Sequence, residues 1–325
     1  MSIAVWWKVA RPFTLSATLS PLLVGSAAAS TELARNSSPF RTGLFLCALL
    51  SCLFLQIAAN YFNEYFDWRY GLDSEASLGA STVIFRGEMT SRQVLGGGIL
   101  SVLAAIVLAI FLVVGTGPRI LLFGLAGIVV LYFYSAKPFQ FSVRGLGDVM
   151  VFLAMGVLTT WGAFYVQCPH AASLAFAASV PVGCLCTAIL NMNNTRDYEE
   201  DALVAKKTLP VRFGRVFGQR FHAALVGGAF LSVLVFWKLR LLPWECLLVF
   251  ASLPYAWRNV RQVLKGGPKA LYMVAIRETS LLHLLFGALL AAGLFLHARF
   301  GVVPLHLEGS STAVALASLP AIGAK

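Results

Sequence analysis

The chain is a succession of apolar stretches, each about as long as a lipid bilayer is thick. Of its 325 residues, 58% are hydrophobic and 12% are charged, and the mean hydropathy is +0.79. A soluble domain carries roughly 25% charged residues. Because about 20 consecutive apolar residues form a membrane-spanning helix, the sequence predicts an all-α, polytopic membrane protein. The nine predicted spans cover residues 13–31, 42–62, 93–114, 118–136, 146–167, 171–193, 221–237, 240–256 and 279–299.

Basic residues in the loops predict the orientation of these spans. The N-terminus and the loops after the second, fourth, sixth and eighth spans together hold 18 of the 25 lysines and arginines. Since cytoplasmic loops carry the excess of such residues, we expect these loops and the N-terminus inside, and the C-terminus outside. Membrane orientation and anionic lipid explain the net charge of +11 better than nucleic acid does.

The domain organisation follows from the same pattern. Residues 1–300 are predicted to form a single transmembrane domain, and residues 301–325 a surface or disordered tail, since they are short and rich in small residues. Two acidic clusters, at the ends of the second and sixth spans, recur four helices apart. This predicts two four-helix halves followed by a ninth helix, with a site where the halves meet. The sequence leaves the oligomeric state open.

Most of the chain's 14 acidic residues belong to these two clusters, although carboxylates near hydrocarbon are costly. Asn60, Asn63 and Asp67 are spaced to share one helix face, with Glu64 beside them and Asp73 beyond Gly71. The second cluster repeats this spacing with the following residues: Asn193, Asp197 and Asp201, and Asn194 beside them.

Amide and carboxylate oxygens in this arrangement predict a magnesium site. Mg²⁺ prefers hard oxygen ligands and usually bridges to substrate phosphates. Two facing oxygen-rich stripes would hold such ions around one diphosphate. Basic residues in the same predicted cytoplasmic loops suit phosphate oxygens, and they are Arg69, Arg86, Lys137, Arg144, Arg196, Lys206 and Lys207.

Four segments together resemble the UbiA superfamily of membrane prenyltransferases. The first runs from Ala10 to Pro21, and the second is Asn63-Glu-Tyr-Phe-Asp67 with Asp73. The third combines Tyr134-Ser-Ala-Lys-Pro138 with Arg144-Gly-Leu-Gly-Asp148. The fourth is Asn193-Asn-Thr-Arg-Asp197 through Asp201, followed by Lys206-Lys-Thr-Leu-Pro-Val-Arg-Phe-Gly214. The resemblance spans about residues 5–300. The chain departs from the usual pattern at Glu64, where the family has Asp, and at Ala205, where it has Gly.

The resemblance implies nine transmembrane helices around a central cavity in a bacterial inner membrane, with the active site facing the cytoplasm. It is strongest to family members that act on 1,4-dihydroxy-2-naphthoate. It therefore implies Mg²⁺-dependent transfer of a polyprenyl group from polyprenyl diphosphate to that ring, with loss of diphosphate and CO₂, giving demethylmenaquinol for menaquinone biosynthesis.

Residue roles follow from the matched motifs. The predicted catalytic residues are Asp67, Asp197, Asp201, Lys206 and Arg196. The predicted metal-binding residues are Asn63, Glu64, Asp67, Asp73, Asn193, Asp197 and Asp201. The predicted substrate-binding residues are Asn63, Asn193, Asn194, Arg69 and Lys137, with Tyr134, Arg144 and Asp148 seating the aromatic acid.

Two other functions stay open at this point. A UbiA-type enzyme could act on another acceptor, such as 4-hydroxybenzoate, homogentisate, a tetrapyrrole or a lipid phosphate. A repeat-built transporter would also have two halves, but it predicts charged residues deep within its spans, whereas these acidic residues gather at one membrane face.

Overall fold

The computed structural model describes residues 2–72, 82–169 and 173–301, and every regular element in these ranges is helical. The α-helices are α1 Ile3–Ala10, α2 Ser16–Arg35, α3 Thr42–Arg69, α4 Ser91–Thr116, α5 Ile120–Ser135, α6 Gly147–Val151, α7 Thr159–Gln167, α8 Ser173–Arg196, α9 Tyr198–Leu203, α10 Leu209–Phe213, α11 Arg215–Lys238, α12 Leu253–Lys265 and α13 Lys269–Leu296. Turns of 3₁₀-helix cover Pro12–Leu15 and Trp244–Ser252, and π-helical turns cover Phe152–Leu158 and His297–Gly301.

The prediction of an all-helical membrane protein is confirmed in these ranges. Six helical stretches are long and apolar enough to cross a bilayer, namely Thr42–Arg69, Ser91–Thr116, Gly147–Gln167, Ser173–Arg196, Arg215–Lys238 and Lys269–Gly301. Helix α5 is apolar but shorter. The count of nine spans therefore stays a prediction. Of the predicted tail, residues 301–325, all but Gly301 lie outside the described residues.

Several helices extend beyond their predicted apolar ranges. Helix α3 continues to Arg69, past the predicted end at residue 62, because polar and aromatic residues prolong the backbone hydrogen bonds of a helix after hydropathy has fallen. Gly71, at φ +67°, follows it in the left-handed conformation that glycine adopts most readily. Helix α13 begins at Lys269, directly after Pro268 and ten residues before its predicted start.

Close helix packing at small residues shapes the interior. Helix α2 packs against α7 and α13, and α8 packs against α11 and α13. A Cβ atom on Gly156 would lie 2.4 Å from the Cα atom of Gly183, and a Cβ atom on Gly25 would lie 2.1 Å from the carbonyl oxygen of Thr160. In membranes, small residues of this kind let helix backbones approach closely. Helices α2, α3, α5, α7 and α8 thereby surround a chamber.

Candidate active site

Lys206 brings the two acidic clusters together. Its Nζ atom lies 3.5 Å from Asp201 Oδ1 and 4.0 Å from Asp67 Oδ2. Asp67 stands near the end of α3, whereas Asp201 stands on α9, far along the chain. Both carboxylates therefore approach one cation, the ammonium of Lys206. The structure thus places one carboxylate from each cluster around a common point.

The second cluster keeps one face across a break in the helix. Helix α8 ends at Arg196, and Asp197 is the N-cap residue of α9. The amide of Asp197 nevertheless donates to the Asn193 carbonyl at 3.0 Å, and the amide of Asp201 donates to the Asp197 carbonyl at 2.8 Å. The helical spacing therefore survives the break. The buried guanidinium of Arg196 donates from Nε to Asp197 Oδ1 at 2.7 Å and from Nη2 to Oδ2 at 2.5 Å.

Asp201 is buried among charges of both signs. Burial raises the pKa of Asp201 to about 6, the ammonium of Lys206 opposes this rise, and the carboxylates of Asp197 and Asp67 add to it. A carboxyl group with a raised pKa is one whose ionised form lacks full compensation. A further positive charge at this point would therefore favour the ionised form of Asp201.

Asn63 and Asn193 lead from the carboxylates into the chamber, and both line its wall. Each precedes a carboxylate of its cluster by one helical turn, Asp67 in the first case and Asp197 in the second. The Ser135 hydroxyl at the end of α5 donates to Asn63 Oδ1 at 2.5 Å, and Asn193 Nδ2 donates to the Ile189 carbonyl at 3.2 Å. The two amides thus mark the polar end of the chamber.

The chamber has a volume of about 320 Å³ and is mainly apolar beyond these amides. Its far end is lined by Ala48, Leu112, Ile120, Phe123 and Val166. Along α3 the lining runs from Asn63 back to Ala48, and the helical rise converts this separation into roughly 22 Å. The cavity therefore suits an amphiphile with a charged head at the carboxylates and a long apolar tail.

One wall of the chamber departs from α-helical geometry. The π-helical stretch Phe152–Leu158 contributes Ala154, Met155 and Leu158 to the lining, and the Thr159 hydroxyl donates to the Ala154 carbonyl at 2.8 Å. Such wide turns occur frequently at functional sites. Here the wide turn forms part of the chamber wall.

Two polar residues of the first cluster hold neighbouring segments. Asn60 Nδ2 donates to the Ala10 carbonyl at 2.8 Å and to Thr14 Oγ1 at 3.0 Å. Glu64 is fully buried, and its carboxylate accepts hydrogen bonds from the backbone amides of Thr82 and Ile84. Glu64 is absent from the described chamber lining, and Asp73 lies outside the described residues.

The predicted diphosphate-binding residues divide into two groups. Lys206 and Arg196 contact the carboxylates, as described above. Arg69 and Lys137 are exposed, and each lies over an aromatic ring of α3 or its C-cap, with Arg69 5.9 Å from the Tyr65 centroid and Lys137 4.9 Å from the Tyr70 centroid. Asn194 is partly exposed and is not among the described residues of the chamber wall.

Two of the three residues predicted to seat an aromatic acid lie near the chamber. Tyr134 lines it, and a Cβ atom on Gly147 would lie 3.2 Å from the Tyr134 hydroxyl. The next residue, Asp148, is buried, and its Oδ1 has no hydrogen-bond partner among the described residues. Arg144 is exposed, and its carbonyl accepts a hydrogen bond from Arg212 Nη2 at 2.6 Å.

The donor set fits Mg²⁺ that arrives with a phosphate ligand. Within the described ranges, no group of three or more His, Cys, Asp or Glu side chains is arranged to hold a metal. Mg²⁺ keeps several waters, and proteins usually bind it through one or two carboxylates together with substrate phosphates. Asp67 and Asp201 already share the ammonium of Lys206, and the amides of Asn63 and Asn193 lie one turn from carboxylates.

Two residues that position side chains of the site, without being proposed ligands themselves, were not predicted from the sequence. Ser135 fixes the Asn63 amide, and Arg11 places its Nη2 atom 3.7 Å from Glu64 Oε2. A single serine at a helix end has no distinguishing pattern. Arg11 lies within the first resembling segment, so its presence there was the available signal.

A charged, oxygen-rich mouth above a long apolar chamber, within a helical membrane fold, is a site suited to an amphiphilic ligand with a charged head group. Comparison with known proteins specifies the class further. The UbiA prenyltransferase family matches residues 18–277. The chain belongs to this family.

Characterised relatives cover nearly the whole chain. The 1,4-dihydroxy-2-naphthoate octaprenyltransferase of Bacillus subtilis is 30% identical over 298 residues, which cover 90% of this chain and 92% of the relative. The protein of the same name from Haemophilus influenzae is 30% identical over 301 residues, which cover 90% and 96%. The chain is therefore similar to these enzymes along more than nine-tenths of their length.

Solved structures show the same fold. A digeranylgeranylglyceryl phosphate synthase matches with a TM-score of 0.60 at 14% identity, covering 90% of this chain and 98% of the other. A UbiA homologue from Archaeoglobus fulgidus, bound to GPP and Mg²⁺, matches with a TM-score of 0.58 at 18% identity, covering 88% and 99%. At these identities the likeness concerns the fold.

Proposed function

We propose that this protein transfers a polyprenyl group from polyprenyl diphosphate to 1,4-dihydroxy-2-naphthoate, releasing diphosphate and CO₂ and giving demethylmenaquinol. The observation that carries the proposal is the meeting of Asp67 and Asp201 at Lys206, beside the mouth of the apolar chamber. The names of the relatives from Bacillus subtilis and Haemophilus influenzae support the choice of donor and acceptor.

The proposed metal-binding residues are Asn63, Asp67, Asn193, Asp197 and Asp201. Mg²⁺ held by these residues would supply positive charge to offset the charge on the departing diphosphate. The proposed ligands of the diphosphate oxygens are Lys206 and Arg196, which stand beside the carboxylates. Because these cations are held in place before the C–O bond breaks, they stabilise the leaving group without further reorganisation.

The chamber protects the allylic cation that remains when the diphosphate departs. Its apolar wall excludes water, and the ring face of an aromatic residue such as Tyr134, at the polar end, carries negative quadrupole charge. A ring carbon of the acceptor then forms the new C–C bond, and the electrons of the bond to the carboxylate return to the ring as CO₂ leaves. We place the acceptor against Tyr134, with Asp148 and Arg144 at the same end of the site.

The length of the chamber limits how much of the donor it can enclose. Each isoprene unit adds four bonds to the chain, which advance roughly 4.5 Å by the covalent geometry that extends a peptide. The roughly 22 Å along α3 therefore encloses about five units. A longer tail continues from the chamber into the surrounding bilayer.

The proposed topology has nine membrane-spanning helices in two four-helix halves and a ninth helix. The site then faces the cytoplasm of a bacterial inner membrane, with the N-terminus inside and the C-terminus outside. The clustering of lysine and arginine in alternate loops supports this orientation. Reporter fusions that are active on only one side of the membrane, placed after residues 36, 144 and 266, test it.

Product analysis tests the chemistry. Purified protein in lipid nanodiscs receives octaprenyl diphosphate, Mg²⁺ and one acceptor at a time, and products are identified by mass spectrometry. We expect a decarboxylated, prenylated naphthalenediol from 1,4-dihydroxy-2-naphthoate, and no product after chelation of the metal. A product from 4-hydroxybenzoate or homogentisate in place of the naphthoate would assign another acceptor.

A further inference from the structure

Glu64 directs its carboxylate toward a protein segment rather than toward the chamber. Glu64 Oε2 accepts a hydrogen bond from the Thr82 amide at 3.1 Å, and Oε1 accepts one from the Ile84 amide at 3.4 Å. Arg11 Nη2 lies 3.7 Å from Oε2. The side chain has no exposed surface. Both carboxylate oxygens are thus engaged by groups of the protein.

These contacts join three segments of the chain. Glu64 belongs to α3, Thr82 and Ile84 belong to the connection between α3 and α4, and Arg11 follows α1 with a left-handed backbone at φ +47°. An apolar cluster packs around the same junction and consists of Val9, Ala10, Tyr61, Val83, Ile84, Met89 and Val94. Glu64 is therefore a buried charged residue within the apolar cluster where these three segments pack together.

Helix geometry separates Glu64 from its neighbours in the site. Successive helix residues point about 100° apart, so residues i and i+1 do not share a face. Asn63 lines the chamber, whereas the Glu64 carboxylate meets the backbone amides of Thr82 and Ile84. A buried carboxylate is costly unless it is paired and hydrogen-bonded. The amides and Arg11 provide that compensation at Glu64 without a metal.

We propose that Glu64 is a positioning residue, which fixes α1 and residues 82–89 against the end of α3, and that it does not ligate the metal. Its longer arm explains why this chain has Glu at a position where Asp is usual in the resembling motif. An Asp side chain is shorter by one bond, roughly 1.5 Å, and would not span the distance to the Ile84 amide. The inference rests on the proposed function in one respect only, which is that the proposed function includes the metal site from which Glu64 is excluded.

A second glutamate joins the same segments and serves as a matched control. Lys8 on α1 lies 2.9 Å from Glu88 in the connection, with side chains that are 38% and 31% exposed. Exposed pairs of this kind contribute little, roughly 0–1 kcal/mol. Glu88→Gln therefore removes one charge from the contact between α1 and the same connection, while leaving Glu64 and its partners intact.

The experiment compares wild type, Glu64→Gln, Glu64→Asp and Glu88→Gln in nanodiscs. Hydrogen exchange is followed on peptides covering residues 82–90, and Mn²⁺ affinity is measured by electron paramagnetic resonance with a prenyl thiodiphosphate present. Gln keeps the shape of Glu64 but places an NH₂ donor against one of the two amides. Asp keeps the charge and shortens the arm.

We expect exchange in residues 82–90 to rise at least tenfold in both Glu64 variants, with Mn²⁺ affinity within threefold of wild type. In Glu88→Gln, neither quantity should change by more than threefold. A tenfold loss of Mn²⁺ affinity in Glu64→Asp or Glu64→Gln, with unchanged exchange, would overturn the proposal. If Glu64→Gln does not fold, Glu64→Asp alone decides. Absence of Mn²⁺ binding in wild type would count against the proposed function, whereas the exchange result still decides the role of Glu64.

Discussion

Replacing Lys206 by Met should have opposite effects on the two ligands of the site. The ammonium lies 3.5 Å from Asp201 and 4.0 Å from Asp67, and the Lys206 side chain is 19% exposed. At an effective dielectric constant of about 20, these separations correspond to at most about 5 and 4 kcal/mol of Coulomb attraction. Measured hydrogen bonds to charged groups contribute less, about 1.5–3 kcal/mol.

A divalent ion that binds without diphosphate competes with this ammonium. Lys206→Met removes the competitor and leaves both carboxylates, so Mn²⁺ alone should bind about tenfold more tightly. The diphosphate loses one cationic partner. A loss of about 2 kcal/mol raises the dissociation constant of a prenyl thiodiphosphate roughly 30-fold.

Electron paramagnetic resonance measures the first effect and isothermal titration of the thiodiphosphate measures the second. Lys207→Met is the matched control, because the Lys207 side chain is exposed and the neighbouring contacts use its backbone groups. It should leave both affinities within threefold of wild type. Weaker binding of Mn²⁺ alone in Lys206→Met would contradict competition between the ammonium and the metal, and unchanged diphosphate affinity would remove Lys206 from the diphosphate site.

Three further results are expected. Asp67→Asn and Asp197→Asn should each lower kcat/KM at least 100-fold while the protein keeps its elution profile in detergent; activity within fivefold of wild type in either variant removes that carboxylate from the site. Asp201→Asn should raise the apparent melting temperature of the metal-free protein at pH 7.5 and lose that advantage at pH 4, because the raised folded-state pKa of about 6 contributes stability that is present at low pH and lost as pH rises through 6; an advantage that is independent of pH contradicts this. Leu112→Trp at the far end of the chamber should lower kcat/KM for an octaprenyl donor far more than for a geranyl donor, and an equal effect on both would place the tail elsewhere.

Much of the fold could be predicted because a membrane restricts what a chain can do. Apolar stretches of about 20 residues must form helices in lipid, where backbone groups have no other partners. Each predicted range accordingly overlaps helix in the structure, such as 93–114 within α4. Hydropathy could not locate the end of α3, because the backbone hydrogen bonds there continue through a polar sequence.

The candidate site was partly predictable for a different reason. Regular spacing placed Asn193, Asp197 and Asp201 on one face, and the structure keeps this face although α8 ends at Arg196. The same spacing gave no information about Glu64, since its role depends on Thr82 and Ile84, which are distant in sequence. Contacts of this kind depend on how the segments pack together, and a local pattern does not encode them.

The π-helical stretch could not be predicted from the sequence either. Phe152–Leu158 is apolar apart from Gly156, which packs closely against Gly183 of α8. Its position in the chamber wall follows from packing between helices that sequence periodicity treats separately.

If both acidic clusters act on one metal-bound diphosphate, the metal must contact phosphate only when both clusters are intact. Pulsed electron paramagnetic resonance of Mn²⁺ with a prenyl thiodiphosphate measures the phosphorus hyperfine coupling that arises when metal and phosphate are in contact. We expect this coupling in wild type and its loss in Asp67→Asn and in Asp197→Asn separately. Full coupling in either variant would show that one cluster suffices and that the two clusters do not act together on the diphosphate.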